Sequence, residues 1–456
     1  MHQLDSFREI VLVDFEFHSN GVKGNVPDPV CLVAHEMRSG RTFRLWRDEF
    51  PKFAPPYSTG KDILFVAYLT SAEIACHLSL KWPVPERILD LYVEFRHLTN
   101  GVPTLLVREG KKKRGHSILD ALFEYGLSNG VDAGEKERMR NLILGGTYDA
   151  AEKAAILRYC ETDVVALKLL LPLMVPKIDL PRAIYRGRYM TAVARMEHAG
   201  VPIDLELRDR LNSHWEGIQI KMVQKYNPAY QVYDGLHFSE ERFSEYLLRK
   251  NLSWPMHPSG RPVLSNKAFQ DAEALYPEIG ELWQLRGILS KFRLNDIAVG
   301  VDGFNRCSLF PFAARSSRNL PSNKEYIFGV SSFLRSLIRP HWNFAICYLD
   351  WRAQEFGVAA VLSGDINMIE AYLSGDCYLG FAKLAKAVPS EATKATHGQV
   401  RNLFKRCVLG TNYGMEYQTL AVYIGQPPCV ARDLLDKHRR ISESIGNGPT
   451  ISFVGP

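Results

Sequence analysis

The segment "IVLVDFEF", Ile10 to Phe17, restricts the fold of this chain more than any other stretch. It is apolar at every position but two and reads as a buried strand. Asp14 and Glu16 alternate with its apolar residues, so both carboxylates point to one face. Two acids on a buried strand repel each other and lose hydration, which is costly unless a cation lies between them. Hard divalent ions such as Mg²⁺ are bound through oxygen ligands of this kind. An exposed edge strand carrying acids is the other reading; "VLV" before them and Phe15 and Phe17 around them argue for burial.

The rest of the chain organises around that strand. At 456 residues it is too long for one core, and two or three domains are expected. "CLVAHEMRSGRTFRLW" reads as a hairpin turning at Ser39-Gly40, and short apolar strands then alternate with helical patterns. "AAILRYCETDVVALKLLLPLM" is an amphipathic helix ending before Pro176, which closes an α/β domain over residues 1–178. Residues 179–300 are mainly helical, with loops at "WPMHPSGRP" and around Pro277. Residues 301–456 hold an expected strand, "FAICYLDW", and then helices to about residue 440.

Composition narrows the setting. Net charge is +6 with a pI near 8.7, a mild basic excess compatible with a polyanionic partner. The eight cysteines form no CxxC pair, which favours reduced, mostly buried thiols and a cytoplasmic protein. There is no secretory leader pattern and no run of 18 apolar residues, so no membrane association is expected. The "KKKR" run, Lys111 to Arg114, reads equally as a solvated turn or a phosphate contact.

Two further acids and a tyrosine complete a first constellation. Tyr159 and Asp163, in "YCETD", lie i, i+4 on one helix face, and Asp90 stands between apolar segments in "ILDL". The order "DFEF … ILDL … YCETD" resembles the three motifs of DEDD-type 3′→5′ exonucleases with a Tyr in the third motif. That resemblance implies a ribonuclease H-like fold. It makes Asp14, Glu16, Asp90 and Asp163 the ligands of two Mg²⁺ ions, with Tyr159 orienting the attacking water. Such a metal pair clamps a scissile phosphate and stabilises its leaving oxygen. Many such enzymes have Asn four residues before the second-motif Asp; here Glu86 stands there.

The second constellation lies near the other end. In "RNLFKRCVLGTNYG", Arg401, Lys405, Leu409, Asn412 and Tyr413 share one helix face, two cations with an amide and a phenol ring. Upstream, "FAICYLDWRAQEFGVAAVLSGD" places Asp350 after an apolar run, where a helix N-cap is the plain reading, and Glu355 five residues later. The two segments together resemble motifs A and B of family A DNA polymerases, the DNA polymerase I-like group. By that resemblance Asp350 is a catalytic Mg²⁺ ligand, and Arg401 and Lys405 meet the triphosphate of a dNTP. Tyr413 receives the base, and Glu355 disfavours a ribose 2′-OH. Leu409 stands where the family usually has Phe or Tyr.

"RMEHAGVPID" is similar to the start of the family's polymerase part, and "SSRNLPSNKEYIFGVSSFLRSLIRP" to its template–primer segment, with Arg318 and Arg335 on phosphates. Residues 205–300 would then be a thumb and 301–456 a partial palm and fingers. Primer-template DNA, single-stranded 3′ ends and dNTPs are the implied partners. The resemblance also implies a second palm carboxylate in a later motif. The only His after motif B is His438, followed by Arg439 and Arg440, and likeness to the family ceases from about Ile441. The expectation is therefore an incomplete, C-terminally truncated polymerase part behind a complete exonuclease. A stand-alone exonuclease with a DNA-holding remnant and a non-catalytic DNA-binding module are the competing readings.

Overall fold

The computed structural model describes residues 2–102, 115–128, 130–291, 296–314 and 316–443. The run from Lys111 to Arg114 and the segment from residue 444 onward lie outside the described residues. The chain divides into two compact units: Met1–Thr99 with Thr104–Ile346, and Asn100–Pro103 with Cys347–Pro456.

The first unit begins with five strands, β1 (Glu9–His18), β2 (Asp28–Glu36), β3 (Thr42–Trp46), β4 (Ile63–Ala67) and β5 (Ile88–Asp90). They form one sheet in the order β3-β2-β1-β4-β5. The first three make an antiparallel meander, and β4 and β5 run parallel to β1. The β2–β3 turn is closed as the sequence suggested. The Glu36 carboxylate accepts from the N–H of Ile10, Arg38 and Ser39, and Gly40 takes a φ of +73°.

Helices follow in chain order: α1 (Ser71–Ser79), α2 (Leu91–Thr99), α3 (Ile118–Glu124), α4 (Ala133–Gly145), α5 (Ala150–Met174) and α6 (Leu180–Ala199). Both faces of the sheet are covered. Ile10, Leu12, Leu64 and Val66 pack with Ile156, Cys160 and Leu167 of α5. Val11, Val13, Phe15 and Phe65 pack on the other side with Ile74 of α1, Trp82 and Ala194 of α6. This double burial is why β1 reads as a nearly continuous apolar run, each buried side chain contributing about 1.5–3 kcal/mol. Gly187 lets α6 cross β5: a Cβ there would lie 2.0 Å from the Ile88 carbonyl oxygen.

After the short strand β6 (Val201–Pro202) comes the long helix α7 (Leu205–Tyr230). The hairpin β7 (Tyr233–Asp234) and β8 (His237–Phe238) follows, with α8 (Glu240–Arg249), α9 (Asn266–Leu275) and α10 (Ile279–Lys291). These helices enclose their own aromatic core, in which Phe243 meets Trp254 edge-on at 5.0 Å. β9 (Phe304–Asn305) returns to pair with β6.

The second unit is helical: α11 (Gln354–Ser363), α12 (Ile366–Leu373), α13 (Cys377–Leu384), α14 (Gly398–Asn412), α15 (Tyr417–Ile424) and α16 (Pro428–Glu443). Phe356, Phe381, Phe404, Leu420 and Leu434 form its core.

One element expected from the sequence does not form. "FAICYLDW" is not a strand; Phe344, Tyr348, Leu349 and Trp351 are exposed, and no described strand pairs with it. A strand exists only through hydrogen bonds to a neighbour, so apolar composition alone could not make one here. All eight cysteines are free thiols, five of them buried.

Candidate functional site

The period of two along β1 sends Asp14 and Glu16 to the face shared with Ile10 and Leu12, beneath α5. α5 brings Tyr159 and Asp163 one turn apart, and between them the Cys160 thiol donates to the Asp14 carbonyl oxygen at 3.3 Å. Strand and helix are thus joined at the residues that carry the charge. A bulge between Glu16 and Phe17 ends the regular β1–β2 register just beyond.

Asp14 is half-buried, yet its Oδ2 is cut off from water and has no hydrogen-bond partner among the described residues, and the same holds for Oδ1 of Asp163. Burial, then repulsion from Asp163, pushes the Asp14 carboxyl up to about 8. Burial, then the neighbouring Asp14, holds Glu16 well above the usual carboxylate range. Burial also raises Asp163, with Lys136 pulling the other way. Lys136, on α4, places Nζ 2.6 Å from Asp163 Oδ2 and 5.5 Å from the centroid of the Tyr159 ring. The phenol of Tyr159 is raised, first by burial and then by Asp163, Glu16 and Asp14. At neutral pH it keeps its proton, so it can orient a neighbour by hydrogen bonding but cannot serve as a base.

Asp90 has a different setting. Its carboxylate accepts from the N–H groups of Leu69, Thr70, Tyr92 and Val93 and from the Thr70 hydroxyl, at 2.8–3.2 Å. It caps α2 and holds Leu69 at a φ of +68°. Burial still raises its carboxyl to about 6, with these bonds lowering it. The acids that act directly on one another are Asp14, Glu16 and Asp163. Glu73, in the first turn of α1, is a further member that sequence reading missed. It is 3% exposed, Oε2 has no hydrogen-bond partner among the described residues, and its carboxyl is raised by burial, then by Asp14, with Asp90 and Asp163 adding to the effect. An acid inside "SAEIAC" was the available signal. Lys136, in a charged helix, gave none.

In kind, the donors suit a hard cation: unpartnered buried carboxylate oxygens that repel one another. As they stand, no three acidic, His or Cys side chains among the described residues are grouped closely enough to hold a metal ion. Lys136 is the cation that compensates Asp163, and Asp90 is already occupied. Among the described residues, Asp14, Glu16 and Asp163 lack a full set of backbone donors like that of Asp90, and they would have to draw closer together to share a metal ion.

In the second unit, α14 carries Arg401 and Lys405 over the ring of Tyr378, at 5.4 and 5.8 Å from its centroid. Arg401 Nε donates to Asp376 Oδ2 at 2.5 Å. Tyr413 follows the last residue of α14, and its hydroxyl donates to Glu355 Oε1 at 3.1 Å. The structure thus joins Arg401 with Lys405 and Tyr413 with Glu355. Asp350 is exposed and forms no hydrogen bond or ion pair among the described residues. Asp376 and Tyr378, one turn before "FAKLAK", were not singled out from the sequence, because an Asp at a helix start reads as a cap, which it also is. Back in the first unit, Arg318 is exposed in the loop before Asn319, and Arg335 is exposed with its guanidinium 5.7 Å from the Phe328 ring.

No helix among the described residues is long and apolar enough to cross a membrane. No protein-family model matches the chain, and no curated protein does. Among solved structures the chain is similar to the POL domain of Pol1 from M. smegmatis, determined in complex with DNA primer-template and dNTP. The TM-score is 0.60 at 16% sequence identity, over 97% of this chain and 74% of that one. At that identity the likeness is one of fold: the chain has a mixed α/β architecture resembling a polymerase POL domain.

Proposed function

We propose that this chain is a DNA polymerase I-like protein whose first unit works as a Mg²⁺-dependent 3′→5′ exonuclease. The observation that carries this reading is the group of Asp14, Glu16 and Asp163, half-buried together beside Tyr159, with Oδ2 of Asp14 and Oδ1 of Asp163 left without a hydrogen-bond partner among the described residues. The sheet order β3-β2-β1-β4-β5, with β1 at its centre, supports a ribonuclease H-like reading of residues 1–178.

When bound by Asp14, Glu16 and Asp163, Mg²⁺ would supply positive charge for a phosphate and for an attacking water. The chain's own residues do the rest. Lys136 releases Asp163 and offers its ammonium to the phosphate instead. Tyr159, protonated, fixes a water by hydrogen bonding. Asp90 holds the turn at Leu69 and the start of α2 in place, and so acts through position.

A second activity, template-directed DNA synthesis, is favoured by the second unit's pairing of Arg401 with Lys405 and of Tyr413 with Glu355. In it, Arg401 and Lys405 would bind the triphosphate of a dNTP, Tyr413 and Glu355 the nucleoside, and Asp350 a Mg²⁺ ion. Arg318 and Arg335 would contact primer-template phosphates.

One gel tests both. The chain is incubated with a 5′-labelled primer on a template, Mg²⁺ and the four dNTPs, beside an Asp14→Ala variant. Shortening by the wild type that Asp14→Ala abolishes is the expected result for the exonuclease. Lengthening of the primer by Asp14→Ala is the expected result for synthesis. Binding of the DNA with no change in its length by either protein would leave a non-catalytic DNA-binding module.

A further inference from the structure

α6 carries a second feature away from the acids. Tyr185, Arg188 and Tyr189 share one face of this helix, at i, i+3 and i+4, and line a cleft of about 480 Å³ with Arg186, Phe312 and Ser317. Both walls are fixed. On the helix side, Gly187 seats α6 against β5, and Arg186 makes a bidentate pair with the buried Glu94 at 2.7 and 2.6 Å. On the loop side, Arg96 donates to the carbonyls of Phe312 and Ala313 at 3.0 and 2.6 Å, and the Tyr189 hydroxyl donates to Asn319 at 3.0 Å.

These bonds hold a strained loop. Phe310, Phe312 and Ser317 all have positive φ, at 43°, 56° and 60°. Such conformations persist in non-glycine residues only where the surroundings over-determine them, and they cluster at binding sites.

The lining selects a ligand class. Tyr185 is 73% exposed and Tyr189 39%, and the Tyr189 and Phe312 rings meet edge-on at 5.4 Å. Arg188 is exposed and forms no hydrogen bond or ion pair among the described residues. Among the described residues no acid lines the cleft, and nearby Glu94 is committed to Arg186. Aromatic faces beside an unpaired guanidinium suit a ligand with alternating flat rings and phosphates. The volume suits roughly one or two nucleotides. The floor is formed where Phe312 packs on Tyr92, Val93 and Met190, and α2 begins next to Asp90.

We infer that this cleft binds single-stranded DNA, a base stacking on Tyr185 and Tyr189 with the backbone phosphate on Arg188. The inference rests on the reading of the chain as a DNA-processing enzyme, and it adds a strand-holding site outside the acid cluster.

The test is fluorescence anisotropy of the full chain with a labelled 12-mer of dT, in EDTA, at several salt concentrations. Tyr185→Ala and Arg188→Glu should each weaken binding about 5- to 100-fold. Arg188→Glu should also flatten the salt dependence, since it removes a phosphate contact. Lys61→Glu, an exposed charge reversal on the β4 side, should bind as the wild type does. Because Tyr185 and Arg188 are exposed, unchanged melting curves are expected and exclude misfolding as the cause. Wild-type binding by both cleft variants would overturn the assignment, and so would equal binding of a blunt duplex with equal losses in the variants. A 12-mer of rU bound in the same way would overturn the restriction to DNA.

The two readings fail separately. Mg²⁺-dependent trimming with unaltered binding in the cleft variants removes the cleft and keeps the exonuclease. Cleft-dependent binding by a chain that never trims removes the exonuclease and keeps the cleft.

Discussion

Replacing Asp14 by Asn should make the metal-free protein more stable at pH 8 while removing the nuclease activity proposed for it. The carboxyl of Asp14 is raised from its ordinary 3.8 to about 8, by burial first and then by Asp163. Below pH 4 the folded and unfolded chains both hold the proton, and the group costs nothing. Between pH 4 and 8 the unfolded chain ionises and the folded chain does not. Stability therefore falls with rising pH, by about 1.4 kcal/mol per unit. Above pH 8 the penalty is constant. At pH 7, three units above the ordinary value, the ceiling is about 4 kcal/mol. Asp14 is only half-buried, so solvent screening lowers that ceiling, and the expected gain for Asp14→Asn is about 1–3 kcal/mol at pH 7–8. The amide also removes the repulsion that Asp14 exerts on Glu16. Urea unfolding in EDTA at pH 5 and pH 8 measures both ends of this window. The gap between variant and wild type should be small at pH 5, open by pH 8, and, on the proposed Mg²⁺ site, narrow again on adding excess Mg²⁺. A variant no more stable than the wild type at pH 8, or a gap that ignores pH, would refute the argument that these acids are held together at a cost. Such a cost is the usual signature of residues kept for function rather than stability.

Lys136→Met removes the cation 2.6 Å from Asp163, both side chains being mostly buried. It should destabilise the metal-free protein by about 3 kcal/mol at pH 8 and by much less at pH 4, read from the same urea series. Gly187→Ala forces a methyl group to 2.0 Å from the Ile88 carbonyl oxygen, so α6 must move off β5. A loss of about 3 kcal/mol or more is expected, and an unchanged Tm would contradict this packing. Arg401→Ala breaks the contact with Asp376 and removes one of the two cations over Tyr378. If the proposed nucleotide site is right, dNTP binding followed by intrinsic fluorescence should weaken about ten-fold or more, and unaltered binding would remove Arg401 from that proposal.

Local patterns in the sequence determined a good deal of this protein. Alternation along "IVLVDFEF" set Asp14 and Glu16 on one face, because side chains on a strand repeat every two residues. The i, i+4 spacing of Tyr159 and Asp163, and the shared face of Arg401 and Lys405, follow from helix geometry in the same way. The Ser39-Gly40 turn was equally legible, as Gly40 supplies the left-handed φ. What the sequence left open is set by residues far apart in the chain. Only the fold brings Lys136 to Asp163 and Glu73 to Asp14, and only the Leu69–Thr70 turn reveals that Asp90 is saturated by backbone donors. "FAICYLDW" marks the limit from the other side. Its composition favours a strand, but a strand needs a partner, and pairing is a property of the assembled structure rather than of the segment.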